Sequence, residues 1–284
     1  MTSLRYVGLI GHPVAHSISP RFQQAAFDHC ALAVRYQLWD ADENALSQRV
    51  EDLRGDHFLG ANVTIPHKQA VLRMVDELDR EADLIGAANT IVNCAGRLEA
   101  HNTDAGGFAH ALRQELGYDA KGRRAALLGA GGTARAVMVA LAAEGISELV
   151  ILNRSSERAG LLVQELRPKL QPALASGPLD ESARERLFGC DLVVNCTSVG
   201  LAGSPTEGQL PVPADALPPG AVVVDVVANP LVTPLVAAAG RRGHRTLGGL
   251  PMLVHQGALS FRLWTDIEAP LEVMMAAARR AMQR

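Results

Sequence analysis

The sequence predicts an α/β protein with two domains, because apolar strand-like runs alternate with helix-forming segments on both sides of one glycine-rich turn. The turn lies within residues 125–136, AALLGAGGTARA, and the helix-forming stretch after it contains no Gly or Pro until Gly145. The later runs at 191–195 and 221–227 are continuous and rich in β-branched residues, which is typical of a parallel sheet covered on both faces. The second domain is therefore predicted to be Rossmann-type and doubly wound.

The glycine-rich turn has the spacing of a dinucleotide-binding loop, G-x-G-x-x-A. Gly129 allows the sharp turn, Gly131 lets the backbone approach a pyrophosphate, and Ala134 lets the helix pack closely on the strand. The free N–H groups and the positive dipole end at the helix N-terminus then favour phosphates. The same letters also occur in glycine turns that bind nothing, so the interpretation depends on the strand downstream of the turn.

That strand, predicted at 148–152, ends where a dinucleotide-binding domain selects its cofactor. NAD-selective sites usually place an acid there for the ribose 2′-hydroxyl, whereas residues 153–158 of this chain read NRSSER. Arg154 can pair with a 2′-phosphate and stack on adenine, so we predict NADP(H) rather than NAD(H). Ser155 also suits the N-cap of the following helix, which is compatible with that prediction.

The composition of the chain limits the partners it is expected to bind and the cellular compartment in which it is expected to lie. The 284 residues suffice for one large or two moderate domains, and they include 48% hydrophobic and 20% charged residues with a net charge of −3. No basic run occurs and only 4% of residues are aromatic, so nucleic acid is not an expected partner. The amino-terminal residues lack the apolar core of a signal peptide, and the apolar stretch 221–239 is interrupted by Asp, Asn and Pro, so no membrane span is expected. Four widely spaced cysteines are predicted to be reduced thiols of a cytoplasmic protein: Cys30, Cys94, Cys190 and Cys196.

The first half contains alternating strand and helix signals but no phosphate loop. Strands are predicted at 6–10, 34–39, 58–65, 89–94 and 97–101, and helices at 20–31, 44–53, 67–75, 80–85 and 104–117. Ala95 and Gly96 form a hairpin signal between the last two strands. Ser19 and Asp104 suit the N-caps of the first and last of these helices.

The second half continues the alternation and ends in two helices. Strands are predicted at 148–152, 191–195 and 221–227, and helices at 133–144, 156–166, 252–264 and 271–282. We predict a substrate-binding and catalytic domain of residues 1–104 with 243–284, so that the carboxyl-terminal helices return to the first domain. Residues 105–242 are predicted to form the dinucleotide-binding domain.

Two residues of the first half could move a proton while a hydride is transferred. Lys68, at the end of NVTIPHK, is predicted at a helix start just after a strand, where the helix dipole disfavours its positive charge and so favours proton transfer. The alternative is an ordinary surface lysine. Asp104, in HNTDAGG, either caps its helix or pairs with Lys68 and orients the amine.

Several uncharged polar residues could bind a ligand. Ser17 and Ser19 flank a helix start, where their hydroxyls either bind an anion or cap the helix. Thr64, Asn89 and Gln256 suit a polyhydroxylated ligand, although such residues are also common elsewhere.

No metal site is expected. His12 and His16 have the spacing of two ligands on one helix face, but Pro13 lies between them and helical geometry is not implied. The sequence contains no H-E-x-x-H, G-x-S-x-G or P-loop motif, so it does not support metal or acyl-enzyme chemistry.

Segments along nearly the whole chain resemble the shikimate dehydrogenase family. They are GHPVAHSISP, NVTIPHK, GAANT, NTD, LLGAGGTARA, NRSSER, DVVANP and GGLPMLVHQGA. The combination, in this order, of NVTIPHK, NTD, the glycine turn and the late MLVHQ makes the resemblance to this family specific. The resemblance implies a two-domain fold and a reversible, usually NADP-dependent, reduction of 3-dehydroshikimate to shikimate.

The family's motifs also imply roles for individual residues. Lys68 and Asp104 would be the catalytic pair, and Ser17 and Ser19 would hold the substrate carboxylate. The residues implied for the ring hydroxyls are Thr64, Asn89, Asp104 and Gln256. Those implied for NADP(H) are Gly129, Ala130, Gly131, Gly132, Thr133, Ala134, Asn153, Arg154, Ser155, Arg158, Thr197, Val226, Gly249 and Met252.

Five positions depart from the family's common pattern. Ala228 stands where a Tyr is frequent, and Ala105 replaces the usual Gly after the aspartate. Gly248 and Pro251 stand in a segment that usually reads D-G-L-G-M, and Gly257 replaces a common Ala. The missing tyrosine hydroxyl leaves open a related enzyme acting on quinate or an aminoshikimate-type analogue. A non-catalytic NADP(H)-binding sensor is a separate alternative, against which the presence of both Lys68 and Asp104 argues. The expected partner is a small-molecule substrate, with no nucleic acid and no membrane, and the chain is expected to be a monomer or a homodimer.

Overall fold

A computed structural model describes residues 3–283. The chain forms two compact units, and each is built on its own six-stranded sheet. The first unit comprises residues 3–107 and 254–283 of the described chain, and the second comprises Phe108–Leu253.

The first unit has a mixed sheet with the strand order β2-β1-β3-β5-β6-β4. Its strands are β1 (Arg5–Gly11), β2 (Val34–Asp40), β3 (Phe58–Val63), β4 (Glu77–Leu78), β5 (Thr90–Cys94) and β6 (Arg97–His101). Strand β1 is parallel to both of its neighbours, whereas β5 is antiparallel to β3 and β6. The helices of this unit are α1 (Ser19–His29), α2 (Leu46–Asp52) and α3 (Arg80–Ile85), and α4 (Asp104–Leu116) begins in this unit and continues into the second.

The second unit has a wholly parallel sheet with the order β12-β11-β10-β7-β8-β9. Its strands are β7 (Arg124–Leu128), β8 (Glu148–Asn153), β9 (Ala173–Pro178), β10 (Leu192–Asn195), β11 (Val222–Asp225) and β12 (Thr246–Leu247). The helices that connect them are α5 (Gly132–Ala143), α6 (Ser156–Leu166), α7 (Ala183–Leu187) and α8 (Pro234–Arg241). The central strands are buried throughout, which explains their continuous apolar sequence.

Two helices complete the chain, α9 (Leu250–Thr265) and α10 (Leu271–Ala281). Helix α10 packs on α1, and the rings of Phe27 and Phe261 lie 5.1 Å apart. The carboxyl-terminal helices therefore return to the first unit, and the predicted α/β fold class is confirmed. No helix in the described part of the chain is long and apolar enough to cross a membrane.

The predicted helix at 67–75 is wrong. The chain forms turns after Pro66 and then a short 3-10 turn, Ala70–Arg73. The Lys68 carbonyl accepts a hydrogen bond from the Ala88 N–H over 2.8 Å, so it is not paired within a helix. Lys68 therefore does not lie at the positive end of a helix, and the dipole argument for its reactivity fails.

Two predicted helix caps are also wrong. Helix α1 has Ile18 at its N-cap position, and Ser19 is already helical. The Asp104 carboxylate, instead of capping α4, accepts hydrogen bonds from Lys68 and Asn89. The sequence interpretation also missed β4, β9, β12, α7 and α8. Four of these five elements have six residues or fewer, and short elements carry little periodicity.

Candidate active site

An ion pair between Lys68 and Asp104 lies at the centre of the candidate site in the first unit. Lys68 follows β3 in a turn, and Asp104 is the first residue of α4. The Lys68 Nζ donates to Asp104 Oδ2 over 2.5 Å, and only 13% and 6% of the two side chains are exposed. Such withdrawal from water strengthens the attraction between the charges and fixes the amine in one place.

Asn89 orients the other oxygen of this carboxylate. The Thr103 N–H donates to Asn89 Oδ1 over 2.7 Å, and a backbone N–H can only donate, so this bond fixes which end of the amide is which. The Asn89 Nδ2 consequently donates to Asp104 Oδ1 over 2.9 Å. Both carboxylate oxygens thus have a side-chain donor, and the carboxylate is held in one orientation.

Gln256 joins the same set from helix α9. Its Oε1 accepts from Asn89 Nδ2 over 3.0 Å, and the residue is buried. Gly107, in the first turn of α4, allows this approach, because a Cβ there would lie 2.7 Å from the Gln256 backbone nitrogen. The structure therefore brings four predicted residues together: Lys68, Asn89, Asp104 and Gln256.

The remaining predicted substrate residues of this unit lie at the start of α1 and directly after β3. Ser17 Oγ accepts from the Ser19 N–H over 3.2 Å at the start of α1. Thr64 follows β3 and packs against Gly11, where a Cβ would overlap the Thr64 methyl group. Thr64 comes directly after β3, whereas Ser17 lies in the segment between β1 and α1 and Ser19 is the first residue of α1.

Sequence reasoning missed a second layer of buried polar side chains around Asn89. These are Tyr36, Asn62, Thr90, Thr103 and Ser260. Asn62 lies in an otherwise apolar strand, and an isolated amide there is a signal that could have been used. Ser260 lies one helical turn after Gln256, which places both on the same helix face.

The glycine turn of the second unit has the geometry of a phosphate cradle. Gly129 follows β7 with φ +113°, and a Cβ there would lie 3.1 Å from the Cys196 carbonyl carbon. At Gly131, the N-cap of α5, a Cβ would meet nothing within 4 Å. Ala134, in the first turn of α5, is fully buried. The open space before α5 fits a pyrophosphate at a helix N-terminus.

The end of β8 carries the predicted 2′-phosphate residues. Asn153 ends the strand, and its Nδ2 donates to the Ser155 carbonyl over 3.0 Å. Ser155 caps α6 by accepting from the Arg158 N–H. Arg154 and Arg158 are exposed, so both guanidiniums are available to an anion. These residues fit a dinucleotide that carries a 2′-phosphate.

The loops after β10 and β11 are braced by a buried acid. Asp225 accepts from Asn195 Nδ2 over 2.9 Å and from Thr233 Oγ1 over 2.6 Å, and burial raises the pKa of its carboxyl. Asn195 in turn accepts from the hydroxyl of Thr197, a predicted cofactor residue, over 2.6 Å. This network was not anticipated from the sequence.

The last predicted cofactor residues lie beside the same loops. A Cβ on Gly249 would overlap the Val226 carbonyl oxygen, so the two residues are in close contact. Met252 is buried in the first turn of α9. Within residues 3–283, no group of three His, Cys, Asp or Glu side chains is arranged to hold a metal ion.

Family models cover most of the chain. A model of the shikimate dehydrogenase substrate binding domain matches residues 9–91, and a model of shikimate / quinate 5-dehydrogenase matches residues 111–202. A model of the shikimate 5′-dehydrogenase C-terminal domain matches residues 249–279.

Individual relatives match over nearly their full length. The chain is 45% identical to a shikimate dehydrogenase (NADP(+)) from Methanopyrus kandleri, over 95% of this chain and 93% of the relative. A shikimate 5-dehydrogenase from Thermus thermophilus, solved with NADP(H) and shikimate, is 40% identical with a TM-score of 0.86, over 98% of this chain and 100% of the other. A quinate dehydrogenase from Corynebacterium glutamicum, solved with NAD, is 30% identical with a TM-score of 0.87, over 96% and 98% of the two chains.

Proposed function

The chain belongs to the shikimate dehydrogenase family, and from this premise we propose that it catalyses the reversible, NADP-dependent interconversion of 3-dehydroshikimate and shikimate. The observation that carries the proposal is the buried hydrogen-bonded set in which Asn89 and Lys68 hold the two oxygens of Asp104. It combines a proton donor, an orienting carboxylate and amides that suit a polyhydroxylated ring.

Lys68 is the proposed acid and base. During reduction, its ammonium group donates a proton to the oxygen of the substrate carbonyl as the carbon of that carbonyl gains a hydride. During oxidation, the neutral amine accepts the proton of the same hydroxyl. Asp104 holds the amine in position and stabilises its positive charge. When bound, NADPH supplies the hydride and NADP⁺ accepts it.

The other polar residues of the first unit are proposed to orient the substrate. Ser17 and Ser19 hold its carboxylate at the start of α1. Thr64, Asn89 and Gln256 bind its ring hydroxyls, with Asp104 contributing to the same task. Ser19, Asn89 and Gln256 are buried, and their fixed side chains favour one orientation of the ring.

The second unit is proposed to bind NADP(H). The glycine turn at 129–134 and the N-terminus of α5 hold the pyrophosphate, and Arg154 and Arg158 hold the 2′-phosphate. The side chains of Asn153 and Ser155 support the loop that carries these arginines. Further contacts are proposed from four residues: Thr197, Val226, Gly249 and Met252.

Domain roles and location complete the proposal. The substrate-binding and catalytic domain, expected at residues 1–104 with 243–284, is proposed to be the first unit. The NADP-binding domain, expected at 105–242, is proposed to be the second unit, which continues to Leu253 and includes the pairing of β12 with β11. The cytoplasmic location is supported by four cysteines that are free of disulfides. Sedimentation equilibrium would distinguish the proposed monomer from the proposed homodimer.

The proposal is tested by initial rates with shikimate and with quinate, each measured with NADP⁺ and with NAD⁺. We expect rapid reduction of NADP⁺ by shikimate and slow reactions in the other three combinations. Rapid turnover of quinate instead would favour the second candidate, which Ala228 keeps open because it supplies no hydroxyl. Binding of NADPH without turnover of either substrate would contradict the enzyme and favour a sensor.

A further inference from the structure

A buried hydrogen-bonded cluster of Tyr36, Asn62 and Ser260, hereafter the Tyr36 cluster, lies beside the residues that hold Asp104. Tyr36 comes from β2, Asn62 from β3 and Ser260 from α9. At most 7% of each residue is exposed. None of these three residues has a role in the proposed reaction so far.

Tyr36 fixes the orientation of the Asn62 amide. Burial raises the pKa of Tyr36, and a hydrogen bond from Ser19 offsets only part of this, so the hydroxyl keeps its proton. That proton is donated to Asn62 Oδ1 over 2.8 Å. The Asn62 Nδ2 must therefore point the other way, because the two ends of an amide lie on opposite sides.

The other end of Asn62 braces the backbone and side chain next to the ion pair. Its Nδ2 lies 3.1 Å from the carbonyl oxygen of Asn89 and 3.0 Å from Ser260 Oγ. The Ser260 hydroxyl in turn lies 3.1 Å from Thr103 Oγ1 and 3.0 Å from the Gln256 carbonyl oxygen. Through Ser260 the cluster therefore contacts Thr103 and Gln256, both of which form hydrogen bonds with the Asn89 side chain.

We propose that Tyr36 is a positioning residue for the reaction, acting through the Asn62 amide on Asn89. Asn89 then presents its Nδ2 to Asp104, whose second oxygen holds the Lys68 amine. Without the Tyr36 hydroxyl, Asn62 Oδ1 becomes a buried acceptor with no donor, which destabilises this orientation of the amide and weakens its hold on Asn89. The inference rests on the proposed function, because it assigns Tyr36 a task in that reaction.

Tyr36→Phe tests the proposal, because it removes the hydroxyl and keeps the ring. We expect kcat for shikimate oxidation to fall about tenfold or more, while the KM for shikimate and the Kd for NADPH change less than about threefold. Tyr118→Phe is the matched control, because its hydroxyl is buried and has no hydrogen-bond partner in the described structure. The control should keep the parental kcat.

A double-variant cycle then tests the route. If Tyr36 acts through Asn62, Tyr36→Phe combined with Asn62→Ala should lower kcat no further than Asn62→Ala alone, within about twofold. Multiplicative losses would overturn the proposed route. An unchanged kcat in Tyr36→Phe would overturn the proposal, and so would a change confined to the KM for shikimate, which would indicate an effect through Ser19.

A second pair of variants covers the case in which Tyr36→Phe does not fold. Ser260→Ala should lower kcat by about threefold or more, and Ser260→Thr should restore at least half of the loss. Thr265→Ala is the control, because Thr265 makes the same hydroxyl-to-carbonyl bond on α9, to Phe261, over 2.8 Å. A parental kcat in Ser260→Ala would contradict the positioning role of the cluster.

Absence of turnover in the unaltered chain is a separate outcome, which would overturn the proposed function and this inference with it.

Discussion

Lys68 Nζ lies 2.5 Å from Asp104 Oδ2, although the two residues are 36 positions apart in the chain. A surface lysine would be hydrated, whereas this amine is largely withdrawn from water and has one carboxylate oxygen as its partner. Asn89 occupies the other oxygen of the same carboxylate. The pair therefore has the fixed geometry that a proton-transfer group needs.

Lys68→Ala should depress turnover by about 10²-fold to 10⁴-fold, because it removes the only proposed proton donor and acceptor. The Kd for NADPH should stay within about twofold of the parental value, since Lys68 does not belong to the NADP-binding unit. Stopped-flow rates and fluorescence titration of NADPH measure the two quantities. Lys121→Ala removes an exposed lysine and serves as control. Turnover near the parental rate would rule out the assigned role of Lys68.

Arg154→Ala should weaken the binding of NADP(H) by about tenfold or more and that of NAD(H) by less than about twofold. The physical reason is that only NADP(H) carries the phosphate with which the guanidinium is proposed to pair. Titration calorimetry with both cofactors gives the comparison, and Arg241→Ala, on the exposed part of α8, is the control. Equal losses for both cofactors would place the 2′-phosphate contact elsewhere.

The central strands of the second unit were predictable because their pattern is local, although four of the five missed elements also lie in this unit. The turn at 129–134 and the apolar runs of β7, β8, β10 and β11 can be recognised within ten residues or so of sequence. Strand β9 was missed because Gly177 and Pro178 end it and it lies at the sheet edge, where pairing with β8 defines it. Pairing of that kind is not visible in the segment itself.

The site was predictable by residue type and less so by geometry. Lys68 and Asp104 were selected for their chemistry, yet the helix expected at Lys68 does not exist, because the Lys68 carbonyl bonds to Ala88. The contact of Asn62 with Ser260 joins residues 198 positions apart. No local sequence pattern predicts such a contact. The buried polar residues around Asn89 could therefore be identified only from the structure.

Gly131→Ala and Gly129→Ala should separate cofactor binding from stability. At Gly131 a methyl group meets nothing within 4 Å, so stability should change by less than about 0.5 kcal/mol, while the Kd for NADPH rises about tenfold or more because the methyl occupies the cradle. At Gly129 the positive φ and the contact with Cys196 should lower stability by about 1–3 kcal/mol. Urea unfolding and NADPH titration measure both effects. Parental NADPH affinity in Gly131→Ala would contradict the cradle.

Glu165→Gln should lower the free energy of unfolding at neutral pH and have no effect at low pH. The Arg135 guanidinium donates to both carboxylate oxygens, over 2.8 and 2.5 Å, and this hydrogen bonding holds the pKa of Glu165 below its ordinary 4.5. A carboxyl with a lowered folded-state pKa stabilises the fold above its unfolded-state pKa, and this contribution is lost as the pH falls through the folded-state pKa.

Because 41% of the Glu165 side chain is exposed, water screens the pair and limits the difference from the parent at neutral pH to about 1 kcal/mol or less. The two proteins should become equally stable at a pH well below 4.5, where the parental carboxyl is protonated too. Urea unfolding across this pH range measures the difference, and Glu185→Gln, at an exposed position of α7, should follow the parent throughout. A gap that stayed constant down to low pH would mean that Glu165 stabilises the fold by packing and not by its charge.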